Sequence, residues 1–233
     1  MNQSLIAWTI RVAGILVVFA LGAVGAEWTA LFNGKDLEGW EPVGDGVWTV
    51  LGDGTLVGQR DPASLQKLSP WPKNYGELAS WLYRQAWLYT KKEFGDFDLR
   101  LEYWARYGGN SGVSIRDATR ARHAVSEPPN FERTPARVGY EIQINNRYGD
   151  DWPSGSIYRF VKAPLGVQRD DQWNVLEIES RSDRIRVRLN GRLVAEHPGD
   201  PRRPKTGPIG LQLHDQFSVM MFRNLRIREV HRR

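Results

Sequence analysis

The amino-acid sequence predicts an all-β fold, an antiparallel β-sandwich, on three observations. Short segments in which apolar and polar residues alternate recur from Trp28 to Val230, bounded by Gly, Pro, Asn and Asp. Such alternation buries one face of a strand and leaves the other free. Asp53-Gly54 and Asn190-Gly191 each join two such segments, and both pairs tolerate the positive φ angles of a type I′ hairpin turn. A helical stripe is legible only around residues 76–87, so sheets must pack on sheets.

At the start of the chain, residues 1–26 hold Arg11, an apolar run over 12–24 and the small residues Ala23, Gly25 and Ala26 before Glu27. This is the layout of a secretory signal peptide. The run is shorter than the roughly 20 apolar residues of a stable membrane-spanning helix. Export to the periplasm or the cell exterior is therefore expected, with an uncleaved N-terminal anchor as the alternative.

The alternating segments that follow predict strands over 47–51, 55–59, 88–92, 97–106, 112–116, 138–145, 156–161, 173–180, 184–189, 208–214 and 218–228. Two stretches break the rhythm, 61–86 and 117–137; loops of that length in a small domain are usually functional lids or insertions. No tandem repeat, low-complexity tract or linker divides the chain, so residues 27–233 are expected to form a single domain.

Composition narrows the function. The 233 residues are 41% hydrophobic and 25% charged, enough for one sizeable core. The absence of cysteine excludes disulfides, thiolate metal sites and cysteine nucleophiles. The net charge of +5 is spread as alternating basic and acidic residues, a solvated mixed surface that argues against nucleic-acid binding. Neither metal-ligand spacing among the four histidines nor a phosphate-cradling glycine loop is present, so no metal or cofactor is expected.

Alternation also sorts side chains to faces. In GYEIQIN, residues 139–145, Tyr140, Ile142 and Ile144 point one way while Glu141, Gln143 and Asn145 point the other. The same rule sets Ser114 and Arg116 against Val113 and Ile115, and Gln212 and His214 against Leu211 and Leu213. An ordinary sandwich also has a polar outer face. Here, however, that face is predicted to carry amides, one carboxylate, one guanidinium and one imidazole, in a chain with 10 Trp, 8 Tyr and 8 Phe. Aromatic rings of this kind stack on the C–H side of a sugar, although most serve the core.

Eight motifs occur in order: LFNGKDLEGW at 31–40, LYTKKEFGDF at 88–97, NSG at 110–112 leading to Arg116, GYEIQ at 139–143, QWN at 172–174, NG at 190–191, GLQLH at 210–214 and FRN at 222–224. Together they resemble the 3-keto-disaccharide hydrolase family over about residues 28–230. The resemblance implies a concanavalin A-like jelly roll and activity on 3-keto-glycosides, supplied by a separate sugar oxidoreductase because the chain carries no oxidant of its own. The insert at 117–137 matches none of the family motifs.

A retaining glycosidase sets two carboxylates about 5–5.5 Å apart, which on one strand face reads Glu-x-Asp-x-Glu. The corresponding face here reads Glu141, Gln143, Asn145, and lacks the second acid. A 3-keto sugar needs less, because its ketone acidifies the C2 proton and the C1 substituent can leave by β-elimination. The expected catalytic residues are Glu141 and His214, as base and acid in either order, with Arg116 and Gln143 as enolate donors. Gln143, Asn110, Tyr158, Gln212 and Asn145 are the expected substrate-binding residues. Glu141 and Arg116 read equally well as a plain cross-strand ion pair, and a non-catalytic carbohydrate-binding module is the alternative function.

Overall fold

In the computed structural model, residues 27–61, 63, 71–145 and 151–230 are described, and their strands form two antiparallel sheets packed face to face. The expected signal segment 1–26 lies outside them. In chain order the strands are β1 (Thr29–Ala30), β2 (Trp40–Val43), β3 (Gly46–Val50), β4 (Leu56–Arg60), β5 (Ala86–Thr90), β6 (Phe97–Ala105), β7 (Asn110–Ile115), β8 (Tyr140–Asn145), β9 (Trp173–Arg181), β10 (Arg184–Leu189), β11 (Arg192–His197), β12 (Ile209–Leu213) and β13 (Val219–Glu229). The larger sheet runs β11-β10-β9-β6-β13-β4-β3, with β1 paired to β13, and the smaller runs β2-β5-β12-β7-β8.

The period-two pattern builds the core. Leu88, Val113, Ile115, Ile142, Ile144 and Leu211 of the smaller sheet meet Leu99, Leu101, Leu176, Ile178, Val187 and Phe222 of the larger one. All twelve are buried, and side chains of this kind each contribute about 1.5–3 kcal/mol on leaving water. The outer face of the larger sheet carries paired charges, including Arg223 with Glu102 and Arg228 with Asp98. The Arg223–Glu102 pair is partly solvated and contributes little, whereas Asp98 is buried and held by both Arg181 and Arg228.

The hairpins differ in detail. Asn190 and Gly191 have φ of 51° and 82° and join β10 to β11 at the Leu189–Arg192 pair, as their identities predict. Asp53-Gly54 does not form the two-residue turn expected. Leu51 and Thr55 close a three-residue loop in which Gly54 alone has positive φ, and the Asp53 carboxylate accepts from the Thr55 amide.

Residues 156–161 are not a strand. Ile157 makes only isolated bridges, to Ile142 and Val161, around a tight turn in which Arg159 has φ of 70°. Ile157 is fully buried, so its apolar signal came from the core and not from a ladder. This segment still shields the open edge of β8, since Tyr158 N donates to Glu141 O and Gln143 N to Ser156 O, both at 2.9 Å. Strand β2 escapes the sequence pattern because it is an edge strand interrupted by Pro42. A helix, α1 (Tyr75–Leu82), starts at Asn74, whose side chain accepts from Glu77 N.

A cleft on the smaller sheet

The smaller sheet's outer face is divided in two. At one side the insert after β7 folds back over it, and Trp87 and Tyr89 of β5 are buried there against Ala121 and Ala124. Asp117 anchors the fold-back: its carboxylate accepts from the Tyr89 hydroxyl at 3.0 Å, from Thr119 N at 2.9 Å and from Ala121 N at 2.8 Å. At the other side a cleft of about 410 Å³ stays open, with Asn110, Glu141, Gln143, Tyr158 and His214 in its lining. A second helix, α2 (Pro135–Val138), and the preceding turn bring Thr134, Ala136 and Arg137 to its wall.

Glycines shape the floor. The β7–β8 register sets Gly112 opposite Gln143 and Ser114 opposite Glu141. A Cβ at Gly112 would lie 2.7 Å from Glu141 Oε1, so the Glu141 side chain occupies the space that a larger residue would fill. Gln212 follows the Leu211–Val113 pair on β12, which sets it beside Gly112. Burial pushes the Glu141 carboxyl up to about 8, while the Gln212 side chain pulls the other way. Glu141 is thus a carboxylic acid kept protonated at neutral pH, at the edge of a polar cleft.

His214 directly follows β12 and is half-buried, with Nδ1 3.5 Å from Asp215 Oδ2 and its ring edge-on to Tyr83. Asp215 is buried and held in place, since its Oδ1 accepts from Phe217 N at 2.8 Å. Gln143 Nε2 donates to Asn110 Oδ1 at 3.2 Å, which leaves the Asn110 amide hydrogens available to a ligand.

Of the eight residues predicted from sequence, five line the cleft together: Glu141, His214, Gln143, Asn110 and Tyr158. Gln212 is fully buried beside Glu141, and Asn145 is buried where β8 meets Ser154, which accepts from Asn145 N at 2.7 Å. Arg116 departs from its expected place. It follows the last residue of β7 with φ of 62°, which ends the alternation. Its buried guanidinium donates to Ser180 Oγ of β9 in the opposite sheet, at 2.6 Å. It neither lines the cleft nor pairs with Glu141, and its backbone is clamped between Gly139 and Gly207, where a Cβ would come within 2.8 Å and 2.6 Å.

Gln85, Phe131, Thr134, Ala136, Arg137 and Arg159 also line the cleft and were missed. Gln85 was within reach, because it continues the Trp87–Tyr89 face one step back, and it accepts from Trp87 Nε1 at 3.0 Å. The others sit in the unmatched insert or in the segment misread as a strand.

The fold is a jelly-roll β-sandwich with an open polar cleft on its smaller sheet. The chain belongs to the 3-keto-alpha-glucoside-1,2-lyase-like domain family, whose profile matches residues 27–228. A solved structure from Parabacteroides distasonis ATCC 8503, described as a putative glycosyl hydrolase, is 25% identical with a TM-score of 0.62 over 88% of this chain and 100% of its own. A second so described, from the same organism, is 19% identical with the same TM-score, over 88% and 94%. A Bacillus subtilis protein of unknown function with a galectin-like fold, 12% identical at a TM-score of 0.56 over 89% and 96%, shares the fold. No curated protein sequence matches the chain.

Proposed function

We propose that this chain is an exported enzyme that cleaves 3-keto-glycosides by β-elimination, with Glu141 as acid and His214 as base. The observation that carries the reading is that Glu141, with its pKa raised to about 8, is the only carboxyl among the described residues that line the cleft. A double-displacement glycosidase needs one carboxylate ionised and a second one about 5–5.5 Å away. A lone protonated acid suits an elimination, in which the leaving oxygen needs a proton and the nucleophile is dispensed with.

In the proposed sequence His214 takes the proton from C2, and the C–H electron pair forms an enolate with the C3 ketone. Asn110 donates to the enolate oxygen, and Arg137, one of two arginines that line the cleft, supplies a guanidinium in the role first expected of Arg116. The ketone then re-forms as the C1–C2 double bond appears and the C1–O bond breaks. Its electron pair leaves on the glycosidic oxygen, which receives the Glu141 proton. Asp215 stands ready to pair with the protonated His214 ring. Water adding its oxygen to C1 and a proton to C2 of the enone would complete a net hydrolysis. The 3-keto substrate comes from a separate sugar oxidoreductase.

A carbohydrate-binding module would instead offer a flat aromatic platform, whereas among the described residues only Phe131 and Tyr158 bring phenyl or phenol rings to this cleft. The test is incubation of the purified protein with a 3-keto-glucoside of a chromophoric aglycone and, in parallel, with the unoxidised glucoside. Aglycone release with a rise in enone absorbance is expected from the keto sugar alone. No release from it, or equal release from both, overturns the reading.

A further inference from the structure

The cleft's charge is lopsided. Arg137 and Arg159 both line it, while the single carboxyl among its described lining residues, Glu141, is held protonated well above the usual carboxylate range. Arg137 is matched by a fork of contacts to Glu132, Nη1 to Oε2 at 2.7 Å and Nη2 to Oε1 at 3.2 Å. Arg159 is not matched. It is exposed, it stands at the strained φ of 70°, and among the described residues its guanidinium has no hydrogen-bond or ion-pair partner.

Behind it lies a second cation. The Arg203 guanidinium is 4.9 Å from the Tyr140 ring centre and 4.6 Å from that of Phe160, and donates to the carbonyl oxygens of Ala136 and Gly139. Arg159 is close enough to depress the pKa of Arg203, after the larger effect of burial. The nearby carboxylate, Asp200, is already engaged by Arg202, through Nε to Oδ1 and Nη2 to Oδ2, both at 3.0 Å. Arg159 therefore adds a positive charge to this wall that no carboxylate among the described residues pairs with, and a concave site concentrates such a field.

We propose that the cleft takes glycosides bearing a carboxylate and that Arg159 is the residue that binds it. This names the substrate class of the glycoside-cleaving reading and rests on it. A guanidinium offers two parallel N–H groups that match a carboxylate's two oxygens. The carboxylate can come from the sugar, as in a hexuronic acid, or from the aglycone, and the two sources are separable.

The experiment measures binding of unoxidised glycosides, which cannot eliminate, to the full-length protein at low and high salt. One arm compares methyl glucuronide with methyl glucoside; the other compares para-carboxyphenyl glucoside with its para-carbamoylphenyl analogue. The acidic member of one arm is expected to bind about 10-fold or more tightly than its neutral partner, as a charge-assisted pair would give. That preference should shrink at high salt, fall away in Arg159→Gln and persist in part in Arg159→Lys. If neither acidic ligand binds more tightly, or if the preference survives Arg159→Gln, the proposal is overturned. Turnover of a neutral 3-keto-glucoside is read separately, so a failed substrate class leaves the elimination standing, and a failed elimination leaves the binding result intact.

Discussion

Glu141 on β8 lies across Gly112 on β7, with Oε1 2.7 Å and Cγ 2.9 Å from where a Cβ at position 112 would be. The missing side chain is what lets an acid settle against the sheet at 5% exposure. Gly112→Ala should therefore evict the Glu141 carboxyl while leaving the strand register in place. Overpacking of this kind costs about 1–3 kcal/mol. Expected together are a loss of turnover larger than the melting shift explains and a fall in the pH at which activity declines. Unchanged kinetics in a folded Gly112→Ala protein would contradict this account of the site.

The Glu141 carboxyl also predicts how stability depends on pH. Its folded pKa of about 8 lies above its ordinary value of 4.5, so the folded state holds a proton that the unfolded chain releases. The contribution is complete below pH 4.5, declines as the pH rises and is gone above about 8. Glu141→Gln removes the titration. Denaturant unfolding of both proteins should give similar stabilities at low pH and a variant more stable by about 5 kcal/mol above the upper pKa. Parallel curves across the window would show that the carboxyl is not held protonated.

Turnover should respond to the same substitution. Loss of a general acid or base costs about 10²- to 10⁴-fold in rate. Drops in that range are expected for Glu141→Gln and for His214→Ala, with little change in melting for the latter because His214 is half-buried. Rates near the parental value in both variants would remove these residues from the mechanism.

Arg116→Ala should act on stability instead. Its side chain fills the space between the sheets and bonds Ser180, so truncation leaves a cavity and is expected to cost about 2–5 kcal/mol. Turnover per folded molecule at permissive temperature should stay near the parental value. A loss of rate in a protein that melts normally would return Arg116 to the catalytic set.

Export predicts a mature N-terminus within a few residues of Ala26. N-terminal sequencing of the protein recovered from expressing cells checks it, and Met1 on a membrane-bound product would favour an anchored form.

The sequence by itself determined the sandwich and the half of the site that lies on regular strands. Period-two alternation is a local property, and it places Glu141 and Gln143 of β8 on the outer face and Ile142 and Ile144 in the core without reference to the rest of the chain. His214 and Gln212 follow by the same rule. Where the local rule lapses, only the tertiary structure decided. A positive φ at Arg116, one residue past β7, sends its side chain to the other sheet, and it was set by packing against Gly139 and Gly207, distant in sequence. The insert has no periodicity of its own, so which part of the polar face it covers, and that it brings Arg137 to the open part, depended on where Asp117 and Tyr89 meet. Arg159 entered the cleft because Ile157 is drawn into the core and the chain turns back upon it, a choice made by burial between elements and invisible to alternation along one of them.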